Sequence, residues 1–377
     1  MISKVVWITP LIGSEINRAV KFINWKIKMD LTTLNIGYVP MSENYQAPGD
    51  KRRFSYYAKS RNLKFEIADP SKKYDLVILS QNADLSIWCN YDRDGAKIIY
   101  DLIDSYLAIP RNEIKGSLRG LAKYASGKSK YLKLNHWKSI ESMCSRADAV
   151  ICSTDEQARF IEPFCNNVHQ ILDVHSYINK SNKNDYQADK IFNIVWEGQA
   201  DNVFQFDLLR TVFSDLEKEH EIALHFVTDL SYQRFAGRYW KTYTADKVKG
   251  LCKRVYIYEW NEIMWSQIIS SCDLAVIPVD LKNPLVRGKP ENKLILFWRM
   301  AMPVITSATP AYVRAMNKAG LDMTCSTKDD WFVMLKRYIL NERARKTAGL
   351  LGRKAAYEHY PEGEILSSWD NVLRSIL

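Results

Sequence analysis

The sequence lacks any long uninterrupted hydrophobic run. The apolar stretch over residues 5–12 is broken by Pro10 and followed by Gly13, whereas a membrane span needs about 18 apolar residues. A secretory signal would need a longer unbroken apolar region and a cleavage site of small residues. We therefore expect a cytoplasmic protein.

Metal-binding cysteine pairs and phosphate-binding glycine motifs are also missing. The 377-residue chain has seven cysteines, an odd number, and none of them forms a CxxC pair. Neither a GxGxxG nor a Walker motif is present. We therefore predict reduced thiols packed as small hydrophobic residues, no metal site and no cofactor.

The sequence does contain enough apolar material for two hydrophobic cores. Hydrophobic residues make up 47% of the chain and charged residues 25%, which is typical of a globular protein. Short β-rich apolar runs alternate with longer segments of helical period along the whole chain. Continuous apolar strands separated by helices favour parallel sheets covered on both faces, so the predicted fold class is α/β.

The polar stretch over residues 176–190 separates two sets of about six predicted strands. We predict a first Rossmann-like lobe over 1–178, a linker over 179–190 and a second Rossmann-like lobe over 191–360. The last segment, 361–377, has apolar residues at helical spacing. We expect it to form a helix that crosses back and packs on the first lobe.

The segment over residues 273–312 carries the strongest indication of a ligand site. It predicts a strand, a loop containing Gly288 and Lys289, a helix from Pro290 to about residue 302, and another strand. The start of such a helix faces the carboxyl edge of a parallel sheet, where its free N–H groups can bind phosphate. Lys289 and Lys293 would add charge and Asn292 a donor. The alternative is an ordinary βαβ unit with surface lysines.

Three short motifs resemble the GT-B glycosyltransferases similar to family 4. They are Met300-Ala301-Met302-Pro303-Val304-Ile305, Ala147-Asp148-Ala149-Val150-Ile151-Cys152-Ser153 and Val195-Trp196-Glu197-Gly198. The resemblance implies two Rossmann-like lobes facing a deep cleft and transfer of a sugar from a nucleotide-diphosphate sugar to a glycan or lipid-linked acceptor. It implies that the donor lies against the second lobe. We predict that it lies beside Gly198 and Gln199, with Lys289, Glu291, Asn292 and Lys293 in place of the family's usual donor residues.

The sequence departs from that family at the residues that usually hold the donor. The family carries two glutamates eight residues apart, but Gly288 and Leu296 stand at the matching positions. The basic residues that usually follow the glycine of the second lobe are replaced by Gln199, Asp201 and Asn202. The departure leaves the donor and the stereochemistry open.

Candidate residues on the acceptor side follow predicted strands of the first lobe. Gly13 and Ser14 lie between the first strand and first helix, where glycine would let the backbone approach a ligand. Asp101 and Asp104 end the fourth strand and are candidates for a general base, although Asp104 could instead cap a helix. His175 precedes the linker and is either a proton shuttle or a structural histidine at the hinge.

The formal net charge of +10 is concentrated in one segment. Residues 111–138 contain eight lysines and arginines against Glu113 alone, interleaved with apolar side chains. Such a segment can bind an anionic membrane surface, or it can be a solvated helical face. No nucleic-acid motif accompanies the charge, so we do not expect nucleic acid as a partner.

Two other functions fit the same predicted fold. A sugar-nucleotide 2-epimerase would need acids and histidines concentrated in the cleft, but the six histidines are scattered. A non-catalytic glycosyltransferase-like subunit would explain the missing glutamate pair.

Overall fold

The computed structural model describes residues 31–91, 95–110, 113–133, 135–234 and 239–377. The predicted first strand lies outside the described residues, and so do Gly13 and Ser14. In the part of the chain that is described, no helix combines the length and apolarity that a membrane crossing requires.

The strands form two parallel six-stranded sheets and one hairpin. Their bounds are β1 (Ile36–Val39), β2 (Glu66–Ile67), β3 (Leu76–Ser80), β4 (Lys97–Asp101), β5 (Ala149–Cys152), β6 (Val168–Gln170), β7 (Phe192–Glu197), β8 (Ile222–Thr228), β9 (Ser231–Arg234), β10 (Tyr239–Tyr243), β11 (Val255–Glu259), β12 (Leu274–Ile277), β13 (Val304–Ser307) and β14 (Thr324–Cys325). The first sheet has the order β2-β1-β3-β4-β5-β6 and the second β11-β8-β7-β12-β13-β14, while β9 and β10 pair antiparallel.

Helices connect the strands and cover both sheets. Their bounds are α1 (Pro48–Arg52), α2 (Phe54–Ser60), α3 (Leu85–Trp88), α4 (Glu113–Ala125), α5 (His136–Arg146), α6 (Asp155–Ile161), α7 (Arg210–Leu216), α8 (Thr244–Val248), α9 (Trp265–Ser271), α10 (Pro284–Arg287), α11 (Asn292–Arg299), α12 (Pro310–Ala319), α13 (Lys328–Leu340), α14 (Glu342–His359) and α15 (Glu362–Ile376). Three 3-10 helices span Leu31–Thr33, Tyr106–Ala108 and Ala200–Leu209. The predicted fold class, α/β with two Rossmann-like lobes, is confirmed.

Strand β3 shows why the first sheet needs helices on both faces. All five of its residues are buried, and successive side chains point to opposite faces. Val77 and Leu79 belong to one hydrophobic core, whereas Leu76 and Ile78 belong to another. A strand that is apolar on both sides is stable only where both sides are covered.

The chain's last helix, α15, covers one face of the first sheet, as the apolar spacing predicts. Trp369 is fully buried and stacks on Tyr57 of α2 with 5.6 Å between ring centroids. Asp370 is buried beside it and accepts hydrogen bonds from the Tyr57 hydroxyl (2.9 Å) and from Arg61 (2.7 Å). Hydrophobic packing and a paired charge therefore hold α15 to the first lobe.

The segment predicted as a linker lies against the second lobe. The Lys183 ammonium donates to the carbonyl oxygen of Cys272 (2.6 Å), and the Tyr186 hydroxyl donates to that of Ala301 (2.9 Å). Both side chains are buried. The exact lobe boundaries stay a prediction.

Candidate functional site

A cavity of about 440 Å³ lies between the two lobes. The second lobe contributes residues from the carboxyl ends of β7, β8 and β11, which is where open parallel sheets bind ligands. The first lobe contributes Gln46, residues along α1, and Tyr177 and Ile178 just before the predicted linker. The lining consists of Gln46, Pro48, Lys51, Arg52, Tyr177, Ile178, Glu197, Gly198, Gln199, Asn202, Asp229, Trp260, Glu262, Lys289 and Lys293.

Four cationic side chains from both lobes converge on this cavity. Lys51 and Arg52 come from the first lobe, and Lys289 and Lys293 come from the second. The Lys51 ammonium lies 3.7 Å from the carboxylate of Glu262, so an ion pair crosses the cavity. Such a concentration of positive charge in a partly desolvated cleft favours an anionic ligand.

Lys293 is held in the floor of the cavity. Its ammonium donates to the carbonyl oxygen of Glu197, lies 4.0 Å from the Glu197 carboxylate and sits 4.7 Å from the ring centroid of Trp196. Burial lowers the pKa of Lys293 to about 8, although Glu197 opposes the shift. A side chain at Gly198 would collide with the Lys293 ammonium and the Trp196 ring, so only glycine leaves room for this arrangement.

Lys289 is the second partly buried lysine, and a relay of polar side chains positions it. Its ammonium donates to the side-chain oxygen of Asn202 (3.0 Å), and the Asn202 amide donates in turn to Asp201 (3.0 Å). Burial lowers the pKa of Lys289, while the charges of Asp104 and Asp201 act in the opposite direction. Both lysines are therefore destabilised as cations until an anion joins them.

The loop before α11 touches the first lobe at Gly288. The carbonyl oxygen of Gly288 accepts hydrogen bonds from Ser105 (3.2 Å) and Thr154 (3.3 Å). A side chain at this position would collide with Ser105. Close contact between the lobes thus explains why a glutamate is not accommodated there. The helix itself begins at Asn292 rather than at Pro290, and α10 occupies part of the predicted loop.

Of the predicted donor-side residues, Gly198, Gln199, Lys289 and Lys293 line the cavity, and two others point elsewhere. Glu291 is buried near Tyr360, whose hydroxyl donates to its carboxylate (3.3 Å). Asn292 accepts a hydrogen bond from the backbone N–H of Asp173 (3.1 Å) and so joins the lobes. These two residues position the loop and α11 rather than facing the cavity.

Asp101, predicted as a general base, is a structural ion-pair partner instead. It is 4% exposed, and both of its carboxylate oxygens accept hydrogen bonds from Arg53, at 2.6 and 2.7 Å. Arg53 also binds Asp173 (3.1 Å) and the carbonyl oxygen of Ile171 (2.8 Å). Burial lowers the pKa of Arg53, but Asp101 and Asp173 raise it by more, so the pKa of Arg53 is raised overall. We therefore do not retain a proton-transfer role for Asp101.

Asp104 and His175 lie beside the cavity but are not among its lining residues. The Asp104 carboxylate accepts a hydrogen bond from the Gln81 amide (2.9 Å). His175 is fully buried next to the hinge, and burial, together with the charge of Arg52, lowers its pKa to about 3. Its imidazole therefore stays neutral at physiological pH, which favours the structural alternative over the proton shuttle.

Several lining residues were not predicted as site residues. Lys51 and Arg52 belong to a short helix of the first lobe, and no motif marks them. Asp229 and Glu262 follow β8 and β11, so the rule that ligands bind at the carboxyl ends of strands could have identified them. In the described part of the chain, no three histidine, cysteine or carboxylate side chains form a group that could hold a metal ion.

The ion triad formed by Arg53, Asp101 and Asp173 can be tested by its contribution to stability. We expect Asp101→Asn to lower the free energy of unfolding by about 3–5 kcal/mol, because the buried Arg53 loses its main partner. Chemical denaturation measures the change. The control Asp207→Asn breaks an exposed pair with Arg210 and should cost less than about 1 kcal/mol. Wild-type stability in Asp101→Asn would contradict the structural role.

Comparisons with known proteins identify the fold. No protein-family model matches the sequence, and no curated protein matches it either. Among solved structures, Anabaena HepE in complex with UDP and glucose has a TM-score of 0.61 at 10% identity, covering 91% of this chain and 100% of that one. Sucrose-phosphate synthase from Thermosynechococcus elongatus has a TM-score of 0.55 at 14% identity, covering 89% and 80%.

A third similar structure is that of S. aureus TarM, determined as a mutant in complex with fondaparinux, alpha-GlcNAc-glycerol and UDP. Its TM-score is 0.56 at 14% identity, and the match covers 79% of this chain. The chain spans about half the length of the TarM structures it matches. Taken with the two parallel sheets and the cleft between them, these similarities show that the chain has the GT-B fold of glycosyltransferases.

Proposed function

We propose that the chain is a glycosyltransferase that moves a sugar from a nucleotide-diphosphate sugar to a glycan or lipid-linked acceptor. The observation that carries this proposal is the convergence of Lys51, Arg52, Lys289 and Lys293 on the cavity between the lobes. A diphosphate is the part of a nucleotide sugar that such a group of cations recognises. The UDP in the HepE and TarM structures supports the same ligand class on this fold.

The diphosphate would lie beside Gly198, where the backbone approaches closely, with Lys289 and Lys293 as its counter-ions. Trp260 follows β11 at the edge of the cavity and offers an aromatic surface to the nucleobase. The transferred sugar would then face the first lobe, towards Gln46. No metal ion is required by this arrangement, because the lysines can offset the charge of the leaving diphosphate.

In the transfer, the bond between the anomeric carbon and the diphosphate oxygen breaks, and a bond to the acceptor hydroxyl oxygen forms. The hydroxyl proton must pass to a base. Glu197, Asp229 and Glu262 line the cavity, and Asp104 lies beside it. We retain Asp104 as a candidate base because its charge acts on Lys289, the counter-ion that we propose for the diphosphate.

A non-catalytic subunit on the same fold is the second candidate. Gly288 packs against Ser105, and Leu296 is buried in the core of the second lobe, so neither position can supply the paired glutamates. Cleavage of a nucleotide sugar distinguishes the two candidates. An active enzyme separates the sugar from the nucleotide, whereas a non-catalytic subunit binds the nucleotide without cleaving the nucleotide sugar.

The donor site predicts nucleotide binding that depends on Lys289 and Lys293. UDP, GDP or dTDP at about one hundred times its dissociation constant should stabilise the protein by about 2.7 kcal/mol, which a thermal-shift assay detects. Lys289→Ala and Lys293→Ala, combined, should abolish the shift. Lys282→Ala, an exposed lysine of the same lobe, is the matched control and should leave it unchanged. A protein that no nucleotide stabilises, or a double variant that binds normally, would refute the assignment.

The lowered pKa of Lys293 predicts weaker nucleotide binding in alkaline solution. A pKa of about 8 means that Lys293 is charged at pH 7 and loses its proton as the pH rises through 8. A diphosphate needs the charged form, so the dissociation constant should rise about tenfold between pH 7 and pH 9. Isothermal titration calorimetry measures it. Lys293→Arg keeps its charge at both pH values and should remove most of this dependence; an unchanged slope would exclude Lys293 as its source.

We also propose that the basic segment holds the enzyme at an anionic membrane surface. Arg111, Asn112 and Leu134 lie outside the described residues. In α4 and in the segment that follows it, large apolar side chains are exposed among the basic residues, with Leu118 at 60% and Tyr131 at 55%. Each basic residue near an anionic leaflet contributes about 1 kcal/mol. A lipid-linked acceptor would reach the cleft from that surface.

Membrane binding can be measured by co-sedimentation with vesicles of phosphatidylcholine and phosphatidylserine. We expect binding that needs the anionic lipid and falls at least about tenfold when Leu118, Leu121 and Tyr131 are changed to serine. The control changes the exposed Val333 and Leu340 of the second lobe to serine. Equal binding to neutral vesicles, or no loss in the triple variant, would argue against the proposal.

A further inference from the structure

A second cavity of about 670 Å³ opens beside the cationic cleft, entirely on the second lobe. It lies beyond the carboxyl ends of β7 and β8, between the 3-10 helix Ala200–Leu209 and the hairpin of β9 and β10. Gln199 and Asp229 line both cavities, so the two are continuous. The second cavity is lined by Gln199, Ala200, Asp201, Phe204, Asp229, Tyr232 and Gln233.

The charge of the second cavity is opposite to that of the cleft. Among the described residues, its lining contains the carboxylates of Asp201 and Asp229 and neither lysine nor arginine, whereas the cleft is lined by four cations against three carboxylates, Asp229 among them. A phosphate would be repelled by these carboxylates. The second cavity therefore does not suit the diphosphate, and it selects against any anionic group.

The remaining lining residues suit a ring that carries hydroxyl groups. Phe204 is 49% exposed and Tyr232 is half-buried, so both present aromatic surface to the cavity. Aromatic rings pack against the C–H faces of a sugar, while carboxylates and amides bind its hydroxyls. Asp201, Asp229, Gln199 and Gln233 provide those polar groups.

The hairpin of β9 and β10 builds one wall of this cavity without being part of the main sheet. Strand β8 pairs directly with β11, so the six-stranded sheet is complete without the hairpin. Tyr232 and Gln233 lie on its first strand. Phe204, Gln199 and Gln233 are exposed, so the described part of the cavity is accessible from solvent.

We infer that this second cavity binds an uncharged sugar residue of the acceptor, held between Phe204 and the hairpin. The inference rests on the proposed function, and it adds the second lobe to the surfaces that contact the acceptor. The polar relay from Asp201 through Asn202 to Lys289 would connect this subsite to the donor's diphosphate.

Saturation-transfer NMR tests the inference with the full chain at saturating UDP. The probes are methyl α-maltoside, methyl β-cellobioside and N-acetylglucosamine, with glucuronic acid as the anionic comparison. We expect a signal from at least one neutral probe and at least fivefold less from glucuronic acid. Phe204→Ala and Gln233→Ala should each reduce the neutral signal at least fivefold. Phe160→Ala, an exposed phenylalanine of the first lobe, is the control and should not.

The inference is overturned if no neutral probe gives a signal, if the signal survives both cavity variants, or if glucuronic acid binds equally well. The affinity for UDP, measured separately in each variant, keeps this result apart from the proposed function. Normal UDP binding without sugar binding refutes the inference alone. Absence of UDP binding in the wild-type protein refutes the proposed function, and with it the assignment of the sugar to an acceptor.

Discussion

Arg53 is a fully buried guanidinium, and the arrangement of the cleft depends on the way its charge is paired. It lies between α1 and α2 and binds Asp101 at the end of β4 and Asp173 after β6. A buried cation is tolerated only when carboxylates and carbonyl oxygens satisfy it. The triad therefore joins three separate parts of the first lobe.

This triad has consequences for both sides of the cleft. Lys51 and Arg52 directly precede Arg53, so its anchoring also places them at the cavity. The backbone N–H of Asp173 donates to Asn292 at the first residue of α11, one residue before Lys293. The triad thus fixes the segment that carries Lys51 and Arg52, and one hydrogen bond from its member Asp173 links it to the helix that carries Lys293.

The cleft and the second cavity share lining residues but differ in the charges that line them. Burial lowers the pKa values of Lys289 and Lys293, because each is partly desolvated without a full counter-ion. An anionic ligand would restore that counter-ion in the cleft, whereas in the second cavity no described cation offsets Asp201 and Asp229. Packing also explains the departure from the family 4 pattern. Gly288 is enclosed by Ser105 of the opposite lobe, and a glutamate there would force the lobes apart.

The sequence by itself determined the fold class, most of the strands and the helix that returns to the first lobe. Continuous apolar strands and helical spacing are local patterns, so β3, β4, β5 and α15 could be read from short segments. The sequence patterns did not predict β9 and β10, because a hairpin without a buried face has no continuous apolar run. The sequence also indicated Lys289 and Lys293 as neighbours at the start of a helix that follows a parallel strand, and their role in donor binding stays a prediction.

Only the tertiary structure decided what the other candidates do. Glu291 lies two residues from each lysine and faces Tyr360, which follows it by 69 positions. Asp101 meets Arg53 across 48 residues, and Lys51 reaches the cavity from the opposite lobe. Which charges meet in a cleft depends on how distant segments pack, because the energy of a buried charge is set by its partners and not by its neighbours in sequence.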